Sequence, residues 1–146
     1  TRQYTDAVEY YGHAVDAGTF DVEYALFQKG FSFGLISQFQ QKITTLTQLL
    51  TQKPQSNYAA DALYERGRSY VSLDSSNSAI SDFSLLLTNY PNSSYKVKSL
   101  LQLGLLYYGN NQFELALQNY KQVVMEYPGT DEASDAMLGI KNIYVD

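Results

Sequence analysis

The sequence predicts an all-α protein built from stacked, antiparallel helical hairpins. Three observations carry that prediction. First, apolar residues recur at helical spacing in the run from Leu100 to Pro128, through Leu100, Leu103, Gly104 and Tyr107 and then through Phe113, Ala116, Leu117, Tyr120 and Val124. Second, the pattern returns when the frame is shifted by 37 residues: Gly104 falls on Gly67, Tyr107 on Tyr70, Ala116 on Ala79, Leu117 on Ile80 and Tyr120 on Phe83. A further 37 residues back, Gly67 falls on Gly30, Tyr70 on Phe33, Ile80 on Ile43 and Phe83 on Leu46. Third, the 3 prolines, Pro54, Pro91 and Pro128, share this spacing. Proline cannot continue a helix, so each is expected at the same joint between hairpins. Two helical stretches per period describe a helical repeat, in which no copy buries its apolar face without a neighbour.

The elements follow in order. Residues 2–17 are expected to form the first helix, with Tyr4, Ala7, Val8, Tyr11, Ala14 and Val15 on one face. Ala7 and Tyr11 correspond to Ala116 and Tyr120, which makes this helix the second of an incomplete hairpin. Gly18-Thr19 ends it, the glycine supplying a left-handed cap. The first complete hairpin runs from Asp21 to Gln52 and turns near Ser37-Gln38. Its first helix is apolar on several sides through Phe20, Tyr24, Phe27, Phe31 and Phe33, as in a helix that neighbours cover. A connector from Lys53 follows, with Ser56 or Asn57 as the next N-cap. The second hairpin covers 57–90 and turns at Asp74-Ser75-Ser76-Asn77, whose short polar side chains compete for backbone hydrogen bonds. The third covers 94–127, starting from Asn92-Ser93-Ser94 and turning at Gly109-Asn110-Asn111. Pro128-Gly129-Thr130-Asp131 then leads into a last helix over 131–145, with Ala133, Ala136, Met137, Ile140 and Tyr144 at the first-helix spacing. The repeats therefore fall at 1–18 (partial), 20–54, 57–91, 94–128 and 131–146 (partial). They form a single domain, 1–146, that reads as a piece of a longer protein because both ends cut a hairpin.

Gly67/Tyr70/Ala79/Phe83/Pro91 and Gly104/Tyr107/Ala116/Tyr120/Pro128 carry one pattern in full. Gly30/Phe33/Pro54 carries part of it, with Lys42 in the alanine place and Leu46 in the second aromatic place. This pattern resembles the tetratricopeptide (TPR) family over nearly the whole chain. The Tyr-Pro-Asn-Ser connector with Tyr58 or Tyr95 after it resembles the TPR domains of bacterial cell-envelope proteins, of the Tol–Pal-associated periplasmic and barrel-assembly lipoprotein types. The resemblance implies a right-handed superhelix of about eight helices. In it Gly67 and Gly104 face Ala79 and Ala116 at close helix contacts, and Tyr70, Phe83, Tyr107 and Tyr120 wedge between hairpins. It also implies a concave groove lined by the first helix of each hairpin. Carried onto this chain, the groove residues are Tyr24, Phe27, Phe31 and Gly34; Asp61, Tyr64, Arg68 and Val71; Lys98, Leu101, Leu105 and Tyr108; and Asp135, Leu138, Asn142 and Val145.

Composition narrows the function. Net charge is −5 and no lysine–arginine cluster occurs, whereas a nucleic-acid footprint requires a basic stripe. No apolar run reaches the length of about eighteen residues that a membrane-spanning helix needs. With no cysteine, disulfide and thiolate chemistry are excluded. His13, the single histidine, falls outside the apolar face of its helix and reads as solvated. The glycines inside the repeats lie within helices and form no phosphate loop. Most of the 14 tyrosines sit on repeat positions, which assigns them to packing. No catalytic, cofactor or metal site is expected. The implied function is a non-catalytic scaffold that holds a protein or peptide segment in the groove, in the periplasm or at the outer membrane, with the cytoplasm as the alternative. The groove set lacks the lysine/asparagine clamp by which some TPR domains hold a terminal carboxylate. It is aromatic and aliphatic, with Arg68 and Lys98 as isolated cations, and suits an apolar segment. Phe27, Phe31, Tyr64, Leu101, Leu105 and Tyr108 are expected on faces that packing does not need, so serine at Tyr64 and Leu101 should spare the fold. Two alternatives stand beside this reading: a structural spacer or self-association domain, and the helical part of a ligand-capture or enzyme assembly.

Overall fold

The computed structural model describes residues 2–18 and 21–145, and the expectations placed on Thr19 and Phe20 lie outside them. Among the described residues there are eight α-helices and no strand: α1 (Arg2–Asp16), α2 (Val22–Leu35), α3 (Phe39–Gln52), α4 (Ala59–Ser72), α5 (Ser76–Asn89), α6 (Lys96–Gly109), α7 (Phe113–Glu126) and α8 (Asp131–Val145). Pro54, Pro91 and Pro128 all lie between helices, after α3, α5 and α7. Ser76 and Asn77, expected in a turn, open α5 instead.

The 37-residue period reaches down to single backbone angles. Ser37, Asp74 and Asn111 have φ of 59°, 55° and 62°, the left-handed region. Each closes a hairpin with the same pair of bonds. Ser37 N–H donates to Gly34 O and Gln38 N–H to Phe33 O, Asp74 N–H to Val71 O and Ser75 N–H to Tyr70 O, Asn111 N–H to Tyr108 O and Gln112 N–H to Tyr107 O. These are Schellman caps, which satisfy the last carbonyls of one helix and aim the chain at the next. The joints between hairpins repeat too. Ser56 and Ser93 accept a hydrogen bond from the backbone N–H two residues on, at 3.0 and 3.1 Å, and the helix starts only after Tyr58 or Tyr95. Neither Ser56 nor Asn57 is therefore the cap residue itself. At the corresponding place Thr130 caps α8 directly, its Oγ1 accepting from Ala133 N–H at 3.1 Å. That joint is shorter by two residues.

The chain forms two compact units, Thr1–Asp82 and Phe83–Asp146, the division falling inside α5. In the first, α2 packs on α1 and α3, and α3 packs on α4. Leu26, Leu46, Leu49 and Ala62 form its core, flanked by Val15, Val22, Phe27, Leu50 and Tyr58. Lys42, in the place where the repeat has alanine, is buried, and its Nζ meets Glu65 Oε1 at 2.7 Å. Arg66 forks onto both oxygens of Asp82 and donates a third bond to Thr47 Oγ1 at 3.0 Å, tying α3, α4 and the first half of α5. The hydrogen bond to Asp82 holds the Arg66 guanidinium above its already high ordinary pKa, so it stays charged.

In the second unit α6 packs on α7, and α8 packs on both. Leu100, Leu101, Ala116, Tyr120, Val123, Ala133 and Ala136 form the core. Gly104 was expected to face Ala116, and the atoms nearest to it are those of the Tyr120 ring, one turn further along α7. A Cβ on Gly104 would run into the Tyr120 ring, and one on Gly139 would lie 2.5 Å from the same ring. Tyr120 thus fills the wedge between α6 and α8 because each helix presents a glycine to one side of the ring, α6 at Cδ1 and Cε1 and α8 at Cδ2 and Cε2. Gly30 plays the matching part toward Leu46, whose Cδ2 would lie 2.7 Å from an added Cβ.

Candidate functional site

Each unit carries a cavity at positions assigned to the groove, and the two differ in chemistry. In the second unit a cavity of about 310 Å³ opens between α6 and α8. Leu101, Leu105 and Tyr108 line it from α6, Asp135, Leu138, Gly139 and Asn142 from α8, and Tyr120 from beneath. Leu105 and Leu138 remain 50% and 56% exposed, so this apolar lining faces outward. Two features of the local sequence create the cavity. Gly139 removes a side chain where the wall would otherwise be filled, and the leucines recur one helical turn apart on α6. Lys98 is exposed at the start of the same helix, and Val145 is exposed at the end of α8.

In the first unit the rings of Tyr10, Tyr11, Tyr24, Tyr58, Phe27 and Phe31 make a continuous series of contacts, with centroids 5.2–6.3 Å apart. Tyr24 and Phe31 are 40% and 38% exposed despite these contacts, so α2 is only partly covered. Beside Phe31 lies a smaller cavity of about 130 Å³, bounded by Gly34, Leu35, Phe39, Lys42, Glu65, Arg68, Ser69 and Ser72. Arg68 is not the isolated cation expected. Its Nη1 lies 3.3 Å from Glu65 Oε2, and its guanidinium sits 6.0 Å from the Tyr64 ring centroid. Asp61 is half-buried, and burial followed by repulsion from Glu65 pushes its carboxyl pKa up.

Two groove positions sit elsewhere than expected. Tyr64 and Leu101 are 8% and 9% exposed, and Leu101 belongs to the core. Leu101 packs against Ala116, Tyr120, Val123, Ala133 and Ala136, so its face is needed by packing, and Tyr64 is closed off as well. The sequence reading also passed over the Lys42–Glu65 pair. The signal was present: a lysine in a core alanine place requires a buried carboxylate, since an unpaired charge there is too costly. Among the described residues no group of three histidines, cysteines or carboxylates is arranged to hold a metal ion.

Fold and cavities together define a helical-repeat protein of the tetratricopeptide type. The chain belongs to the YfiO family, described as outer membrane lipoprotein, whose family model matches residues 59–143, from α4 into α8. Solved structures share the fold. The crystal structure of MamA matches with a TM-score of 0.79 at 18% identity, over 95% of this chain and 78% of that one. MamA 41-end from Desulfovibrio magneticus RS-1 gives 0.74 at 17% identity, over 97% and 84%. A tetratricopeptide repeat protein from Parabacteroides merdae ATCC 43184 gives 0.74 at 16% identity, over 99% and 61%. No curated protein matches the chain.

Proposed function

We propose that this chain is a non-catalytic interaction scaffold that holds an apolar protein segment along its groove positions, in a bacterial cell-envelope assembly. One observation carries the reading: the cavity between α6 and α8, about 310 Å³ and lined by Leu105, Tyr108 and Leu138. Cavities that bind are mostly apolar with a few polar groups at the rim, and here Asp135 and Asn142 supply those groups. The size suits two or three side chains of a helical or extended segment rather than a small metabolite enclosed on all sides. The family description supports the envelope. Among the described residues no helix is long and apolar enough to cross a membrane.

The test selects peptides from a random display library against the domain and measures their affinity for a variant with Leu105→Asp and Leu138→Asp. Both side chains are at least half exposed, so the melting temperature should hold while affinity falls at least tenfold. Peptides that bind the variant as well as the parent would remove this cavity from the function. If sedimentation shows the parent associating with itself and the variant not, the occupant is a second copy and the chain is a self-association module.

A further inference from the structure

A second cavity of about 310 Å³ in the second unit lies between α6, α7 and the part of α5 from Ser84 to Thr88. Leu103 and Tyr107 line it from α6, and at about 100° of turn per residue they point away from Leu101, Leu105 and Tyr108 in the groove. One period earlier, Arg66 forks onto Asp82 and reaches Thr47, so those three side chains satisfy one another. Their counterparts 37 residues on are Leu103, Asn119 and Ser84, and all three line this cavity. Arginine has become leucine and aspartate asparagine, so both charges are gone and no guanidinium bridges the walls. Leu103 cannot bond to Asn119 or Ser84, which leaves polar groups that packing does not use. Thr88, Gln118 and Gln122 add to them, and among the described residues no charged side chain lines the cavity. Three of these groups are already oriented. Asn119 Nδ2 donates to Leu115 O at 2.8 Å, Thr88 Oγ1 to Ser84 O at 3.0 Å, and the Gln122 amide to Glu126. Each uses a donor within its own helix and keeps oxygen lone pairs to accept with.

We propose that this cavity binds one ring of a neutral glycan, whose hydroxyls donate to Asn119, Thr88 and Gln122. The site is separate from the groove and does not depend on the segment-binding reading. A neutral wall of acceptors calls for neutral donors, and hydroxyls supply several of them around one ring. An extended peptide offers fewer, because its N–H groups on one side recur only about every 7 Å. The acceptors here are closer: Ser84 and Thr88 are one turn apart on one wall, as are Asn119 and Gln122 on the other. Tyr107 and Leu115 give the apolar surface against which the C–H face of a sugar packs. At about 310 Å³ the cavity holds roughly ten water-sized groups, the scale of a single hexose.

The experiment titrates the ¹⁵N-labelled chain with maltotriose, cellotriose and chitotriose. Glycerol is the control for bare hydroxyl groups, and acetyl-Ser-Asn-Gln-Ser-amide is the neutral peptide. At least one glycan should shift the side-chain amides of Gln118, Asn119 and Gln122 saturably, whereas glycerol should not saturate. Gln118→Ala, at an exposed position where folding is not at stake, should weaken that binding about fivefold, the worth of one hydrogen bond. Leu103→Arg with Asn119→Asp rebuilds the ion pair of the preceding period inside the cavity and should abolish binding while helicity is kept. Should that double variant fail to fold, Gln118→Ala decides alone, and unchanged affinity there would overturn the site. Saturable binding of the peptide but of no glycan would make the occupant a polypeptide and overturn the proposal. So would glycan shifts confined to the amides of Leu105 and Leu138, which belong to the groove, or no saturable shift with any glycan.

Discussion

A Cβ at Gly104 or Gly139 would be driven into the Tyr120 ring, and this contact sets the sharpest residue-scale expectation. A ring held at its Cδ1–Cε1 side by α6 and at its Cδ2–Cε2 side by α8 cannot retreat, so Gly104→Ala should lower stability by about 2 kcal/mol through overpacking. The control is Gly109, in the last turn of the same helix, where an added Cβ would meet nothing within 4 Å. Gly109→Ala should raise stability by about 0.5 kcal/mol, since alanine loses less backbone freedom. Urea titration of the two variants reads both signs, and a matching loss at both positions would contradict this packing. Ser37 offers a second case. At φ 59° it holds a conformation that glycine adopts freely, whereas Asp74 and Asn111 at the equivalent places are types that tolerate it. Ser37→Gly should therefore stabilise by about 0.5–1 kcal/mol in a thermal melt, with no change of fold. The turn at Ser37 was legible in the sequence; its left-handed angle was not, because serine does not announce it.

At the scale of elements, α3, α4 and the first half of α5 are joined by Arg66, which bridges Asp82 and Thr47. The Asp82 side chain is 4% exposed and that of Arg66 16%. Removing one partner strands the other, so Asp82→Ala should cost about 3 kcal/mol by urea denaturation. Asp61, on the same α4, makes the stability depend on pH. Its folded pKa is raised above the ordinary 3.8 by burial and by Glu65, so its ionised form opposes folding. That cost is full above the folded pKa and absent below 3.8, where both states are protonated. Asp61→Asn should stabilise the chain at neutral pH, and the gain should shrink as pH falls and vanish below 3.8. A gain that stays constant with pH would assign it to something other than charge. Helix positions were legible because a 3.6-residue apolar rhythm is local. The ion pairs were not, since Lys42 and Glu65 lie 23 residues apart and only packing brings them together.

For the whole molecule, the period makes a prediction that no single contact makes. Deleting residues 75–111 joins Asp74 to Gln112, one left-handed cap to the equivalent position one period later. If stability is a sum of repeat and neighbour terms, the shorter chain should remain cooperatively folded and helical, with a lower melting temperature. Circular dichroism on heating records both the helicity and the cooperativity, and a loss of either would contradict the additive picture. The sequence by itself determined the all-α class, the hairpins, the places of the three prolines and the membership in a TPR-like family, because these rest on spacing along one chain. It also named most residues that line the cavity between α6 and α8, from Leu105 and Tyr108 to Leu138 and Asn142. Only the tertiary structure decided which of those side chains are open and which are closed over. Tyr64 and Leu101 share the groove spacing with Leu105, yet they are buried and it is not. Exposure depends on the helix that arrives from elsewhere in the chain, and spacing within one helix carries no record of it.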